Sequence, residues 1–196
     1  MQSDGAQGAS AFVYHRVPAG LRGSVLYPLN QLNDVYPDLY EELKQNYATR
    51  LDIVALRIPP LGNCLWNDVL FFSPVHPSLH KAALEREGHS LPSGWRKYFQ
   101  IDATLIDPAD AVIYDMHTTY WSGTFDVEEA SAELGRECVP YDAGRLKEYS
   151  QVPREARDFY AGVESGAPLP LFLWIPHVLY RGRLDLTQPG IEVIEV

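Results

Sequence analysis

Phe12-Val13-Tyr14-His15-Arg16-Val17 reads as a short strand in which apolar Val13 and Val17 flank a His-Arg pair. A second run, Val25-Leu26-Tyr27-Pro28-Leu29-Asn30, follows after a short gap and leads into a helical stretch. A titratable ring and a fixed cation are thereby brought to one edge, an arrangement suited to an anionic or hydroxyl-rich ligand. Neighbours in a two-faced strand point to opposite sides, so only one of His15 and Arg16 normally faces a given cleft. One reading puts His15 inward against a ribose-like group with Arg16 at the rim. The other satisfies His15 on backbone and leaves Arg16 in a surface ion pair.

Outward from this strand, further strand signals fall at 23–27, 51–58, 68–73, 97–106, 111–117, 170–175, 177–184 and 191–196. Each is short, rich in branched or aromatic residues, and punctuated by Gly or Pro. Leu51-Asp52-Ile53-Val54-Ala55-Leu56-Arg57-Ile58 is apolar on both faces after Asp52, which predicts a central strand. Pro37 and Pro77 suit first-turn positions of helices over 37–47 and 77–87, the first with Leu39, Leu43 and Tyr47 on one face, the second with Leu79, Ala83 and Leu84 inward. Asp126 and Glu129 have capping-box spacing for a helix to Glu137, and Pro153 opens another ending near Gly162. Strands outnumber these four helices and do not alternate with them. The expected fold is α+β, one domain over 11–196 with a mostly antiparallel central sheet, preceded by a flexible tail at 1–10.

The 196 residues carry a net charge of −10, and the charge is unevenly placed. Residues 1–100 hold nine Lys/Arg and nine Asp/Glu, whereas 101–196 hold seven against seventeen. An acidic second half argues against extended duplex binding, which relies on cations neutralising phosphates. It suits either plain solubility or a basic protein partner. No apolar run reaches the ~20 residues of a membrane span. Two cysteines, Cys64 and Cys138, make neither a metal cluster nor a disulfide framework, which fits reduced thiols in a cytoplasmic protein.

Three other segments carry candidate chemistry. Trp66-Asn67-Asp68 stands at a strand's start, where Asn and Asp are poor strand formers. These residues either cap the loop's own backbone or present polar groups beside an aromatic wall. His76 and His80 are four apart, but Pro77 stands where the metalloprotease pattern needs Glu, so His76 reads better as a helix-start residue than as a metal ligand. Tyr114-Asp115-Met116-His117-Thr118-Thr119-Tyr120-Trp121 places Asp115 and His117 on one face, where the carboxylate can orient the ring for acid–base work. Structural hydrogen bonding of the Tyr and Trp groups is the competing reading. Phosphate-binding Gly loops, Cys-x-x-Cys and a Ser nucleophile elbow are missing from the sequence.

Val13-Tyr14-His15-Arg16-Val17 followed by Gly23-Ser24-Val25-Leu26-Tyr27-Pro28 resembles the opening of ADP-ribosyltransferase-like proteins, including DNA-targeting toxins of that superfamily. Asp68-Val69-Leu70-Phe71-Phe72-Ser73-Pro74 is similar to their later strand running into Ser-Pro. The resemblance implies NAD as cofactor, with His15 gripping a ribose and Tyr27 lining the cleft. Around that core, Arg16 would meet phosphate, Trp66 and Tyr120 would line or stack, Asn67 would orient the ligand, and Asp115 with His117 would supply acid–base help. The superfamily commonly places a Glu before a late strand, yet Leu169-Pro170-Leu171-Phe172-Leu173-Trp174-Ile175 supplies no acid. Glu192 and Glu195 are the available substitutes. The expected function is therefore a nucleotide-binding, ADP-ribosyltransferase-like protein, transferring ADP-ribose or catalytically degenerate. The alternative is a non-enzymatic module whose acidic half binds a basic protein.

Overall fold

A computed structural model describes residues 11–92, 94–116, 125–164 and 169–196, so the tail expected at 1–10 lies outside the described residues. The first strands are β1 (Phe12–Arg16), β2 (Val25–Leu26), β3 (Arg57–Ile58), β4 (Cys64–Leu65), β5 (Leu70–Phe72) and β6 (Lys97–Asp102). β7 (Ala111–Tyr114), β8 (Cys138–Pro140), β9 (His177–Tyr180), β10 (Leu184–Asp185) and β11 (Ile191–Glu195) complete them. The helices are α1 (Leu29–Val35), α2 (Pro37–Lys44), α3 (Leu51–Ala55), α4 (Pro77–Arg86), α5 (Val127–Glu137) and α6 (Arg154–Gly162). The fold is α+β, and every strand pairing among the described residues is antiparallel.

Two sheets carry the architecture, one ordered β1-β6-β11 and the other β5-β9-β7-β8. They are stitched together where Tyr14 of β1 and Ser73, just past β5, exchange both backbone hydrogen bonds at 2.8 and 2.9 Å. That bridge turns the free edge of β1 toward the second sheet, and it does so one residue before His15.

Side-chain alternation then divides the core between the two faces of the second sheet. Leu70, Phe72, Ile113, Val178 and Tyr180 join one apolar cluster with Val13, Phe99 and Ile101 of the first sheet. Their neighbours Phe71, Val112, Tyr114 and Leu179 point the other way and meet Ala130 and Leu134 of α5. Covering on both sides explains why β7 and β9 read as continuous apolar runs. A third cluster joins Ala83 and Leu84 of α4, Ala156 and Tyr160 of α6, and Ile175.

Several expectations are corrected. The run predicted as a central strand at 51–58 is α3 followed by the two-residue β3. Ile53 and Leu56, three apart, are buried while Leu51 is 69% exposed, a helical spacing too short to separate from a buried strand in the sequence. The predicted strand at 170–175 is instead a pair of tight turns, closed by Leu173 N–H to Pro170 O and Ile175 N–H to Phe172 O, both 3.1 Å. Trp174 within it takes the left-handed region at φ 65°, rare for a bulky residue. Among the described residues the α-helices number six rather than four, because α1 and α3 add short elements. On α4 the inward face is His80, Ala83 and Leu84, and Leu79 is exposed. Asp126 caps α5, accepting from Glu129 N–H at 2.9 Å, which is the N-cap half of the expected capping box. No helix is long and apolar enough to cross a membrane among the described residues.

Candidate functional site

Because the end of β1 is an edge facing the second sheet, two hollows form around it. The first, about 500 Å³, is walled by Tyr14, His15 and Arg16 of β1, by Trp66, Phe71 and Trp95, and by Phe172 and His177 across from them. The second, about 280 Å³, lies toward α1 and α2 and includes Tyr27, Tyr36, Leu39, Leu43 and Asn67. His15, Arg16, Tyr47 and Phe71 border both. Both residues of the His-Arg pair therefore reach the same space, because the hollows wrap around a strand end and not one face of a sheet.

His15 is held by its Nδ1–H, which donates to the carbonyl of Arg16 at 2.6 Å. Burial, then the adjoining backbone carbonyl and the Arg16 charge, leave its pKa lowered to about 4, burial being the largest effect and the carbonyl opposing it. The ring is consequently neutral at pH 7 with its proton on Nδ1, so Nε2 is an acceptor, the group a ligand hydroxyl requires. Its ring also stands edge-on to Phe72 at 5.7 Å, which fixes its orientation.

Arg16 forms no ion pair among the described residues. Its guanidinium stands over the Trp95 ring at 4.7 Å from the centroid, and Trp95 stacks on Phe172 at 5.4 Å. A cation held by a ring and left without a carboxylate, in a protein of charge −10, is a ready site for an anion.

Two more imidazoles border the first hollow. Tyr160 donates its hydroxyl proton to Leu171 O at 2.8 Å, so its oxygen accepts from His80 Nε2–H at 3.0 Å. His177, at the start of β9, packs edge-on to Phe71 and Phe172, and its enclosed Nδ1 finds no partner among the described residues. Burial lowers both rings to about 4, so they too are neutral at pH 7. No Asp or Glu lines the first hollow among the described residues, and Glu42 is the one carboxylate along the second. The chemistry of the first hollow is thus aromatic and uncharged apart from Arg16.

The remaining sequence candidates divide. Trp66 is buried against Phe71 (4.6 Å) and edge-on to Tyr114 (6.4 Å), with the first hollow at its side. Asn67 is only 6% exposed, lines the second hollow, and makes no side-chain hydrogen bond among the described residues. Its neighbour Asp68 is the structural half of the trio: Oδ1 accepts from Asn30 Nδ2 at 2.7 Å and Oδ2 from Leu65 N–H at 2.8 Å. Tyr27 stands edge-on to Tyr36 at the second hollow. Asp115 follows β7 with its N–H on Glu137 O and borders neither hollow, although Met116 borders the first. His117 and Tyr120 lie outside the described residues.

His76 caps α4, its Nδ1 accepting from Ser78 N–H at 3.1 Å, as expected of a helix-start residue. Among the described residues no three His, Cys, Asp or Glu converge as a metal site. Cys64 and Cys138 are unpaired thiols that burial pushes up to about 11 and 12, which disfavours the nucleophilic thiolate. The sequence reading missed Trp95, Phe172 and His177. Pro170 and Pro176, bracketing an aromatic run, were the available sign of a turn that carries side chains into a hollow.

Compared with protein-family models, curated proteins and solved structures, the chain finds no match in any of the three.

Proposed function

We propose that the paired hollows bind a nucleotide-type small molecule, NAD in the ADP-ribosyltransferase-like reading. The observation that supports it is the combination on β1: a guanidinium over Trp95 that pairs with no carboxylate among the described residues, beside a neutral imidazole whose Nε2 is an acceptor. A phosphate suits the first group, a ribose hydroxyl the second, and the aromatic walls suit a flat ring.

In this reading the site binds and does not transfer. An oxocarbenium-like centre needs a carboxylate beside it, since the developing charge must meet a placed counter-charge. None lines the first hollow among the described residues. Glu192 accepts from Gln100 Nε2 at 2.6 Å and Glu195 pairs with Lys97 at 3.3 Å, both away from the hollows. Asp115 and His117, read earlier as an acid–base pair, have no assigned role in a binding-only site.

Thermal unfolding with NAD, ADP-ribose and AMP tests the reading. A ligand at a hundred times its dissociation constant stabilises by about 2.7 kcal/mol. The expected result is a shift with ADP-ribose that His15→Ala abolishes and His15→Gln partly retains. Silence with all three removes the nucleotide reading and favours the module that binds a basic protein.

A further inference from the structure

The two hollows meet at one cation but differ in chemistry. On the first side are Trp66, Phe71 and Phe172, with no carboxylate among the described residues. On the second side is Asn67, a nine-tenths buried residue whose amide makes no side-chain hydrogen bond among the described residues, with Tyr27 and the Glu42 carboxylate along the same hollow. The amide atoms are not among the fully enclosed ones, so they open onto the hollow, where two donors and an acceptor are available to whatever fills it. The half-buried Asp68 next to it has both carboxylate oxygens engaged, so the open amide does not reflect a loosely built segment. Arg16 and His15 border both hollows, the guanidinium as the cation and the imidazole Nε2 as an acceptor.

We infer that a single ligand spans both hollows, with its flat ring in the aromatic one, its anionic link at Arg16, and a hydroxyl-bearing unit in the second, where Asn67 reads the hydroxyls. This rests on the nucleotide reading and adds to it a division of labour and a specificity-determining residue. The volumes, about 500 and 280 Å³, lie around the ~300–1,000 Å³ of small-molecule sites and allow each part its own compartment. The ligand class that follows is a ring and a polyol joined through phosphate. A lone ring or a lone sugar phosphate fills only half of the site.

Binding of three probes, NAD, nicotinamide and ribose 5-phosphate, to the full chain by ligand-observed NMR and calorimetry tests this. Asn67→Leu keeps the shape and removes the amide; it weakens ribose 5-phosphate and NAD roughly tenfold, the worth of one or two hydrogen bonds, and leaves nicotinamide unchanged. Leu171→Trp fills the aromatic hollow and gives the reverse pattern for the two fragments, again weakening NAD. Asn67→Asp, which keeps an acceptor oxygen but adds a charge, serves if Asn67→Leu does not fold, and it too must spare nicotinamide. If the fragments compete with one another, or both respond to the same variant alone, the two-compartment inference is overturned while NAD binding by the wild type stands. If the wild type binds none of the probes, the nucleotide reading fails and this inference goes with it.

Discussion

The Arg16 guanidinium stands 4.7 Å from the centre of the Trp95 ring, and no carboxylate among the described residues pairs with it. Arg16 lies at the end of β1, where the backbone is already fixed by pairing with Tyr98. A cation so placed is oriented before any ligand arrives. Arg16→Gln is expected to weaken ADP-ribose binding by roughly 10- to 100-fold, the worth of a charge-assisted hydrogen bond, with little change in melting temperature. Arg16→Lys keeps the charge but loses the flat stack, and recovers only part of the affinity. Calorimetry at two salt concentrations checks both, since the attraction to Arg16 must weaken as salt rises.

Tyr160 organises the far wall of the first hollow. Its hydroxyl accepts from His80 and donates to Leu171 O, while its own carbonyl accepts from His89 Nε2–H at 2.8 Å. Tyr160→Phe removes only the hydroxyl, leaving a buried imidazole N–H and a carbonyl without partners. The expected loss is about 1–3 kcal/mol, read as a fall of several degrees in melting temperature. Leu171 and Phe172 sit on the segment this hydroxyl tethers, so ligand affinity is expected to fall with it.

Asp68 and Asn67 are adjacent but do different work, and substitutions separate them. Asp68→Ala breaks the bonds to Asn30 and Leu65, which tie α1 to the turn before β5. It is expected to destabilise the fold by about 2–3 kcal/mol, as two charge-assisted bonds are lost at a half-buried site. Urea denaturation measures this. Equal destabilisation by Asn67→Leu would mean that the Asn67 amide supports the fold instead of facing the hollow.

How much of this was legible in the sequence depends on the element. β1, β6 and β7 stood out because branched and aromatic residues run between Pro and Gly breaks, and α5 because Asp126 and Glu129 announce its cap. Leu51–Ile58 misled because five residues give too few turns for helical spacing to show against an apolar background. The run 170–175 misled because its residues favour strands, whereas Pro170 and Pro176 and the left-handed Trp174 fold it into turns. His15, Arg16, Trp66 and Asn67 were found as polar or aromatic anomalies beside strands. Trp95 and His177 were not, because what makes them notable is proximity across 79 and 162 positions from Arg16 and His15, and no local pattern encodes that.

Three neutral imidazoles give the fold a pH dependence of definite sign. His15, His80 and His177 are each lowered to about 4, chiefly by burial, against an ordinary value of ~6.5. Above pH 7 neither the folded nor the unfolded chain protonates them, so stability is flat there as far as these groups are concerned. Between pH 6.5 and 4 the unfolded chain binds protons that the folded one refuses, and stability falls as pH falls. Each group contributes a slope of about 1.4 kcal/mol per pH unit within that window. Asp38, Asp52 and Asp185, held low by Arg22, by Arg50 and by the Thr187 backbone N–H respectively, add their loss only below the ordinary carboxylate range. Urea denaturation from pH 7.5 to 4.5 is therefore expected to show a decline that begins two units above carboxylate titration. His76, also lowered by burial, adds to the same decline, so His177→Leu is expected to reduce the slope by roughly a quarter to a third. A flat profile from pH 7 to 5 would mean that these rings take up protons in the folded protein, and that the first hollow is wetter than its aromatic walls imply.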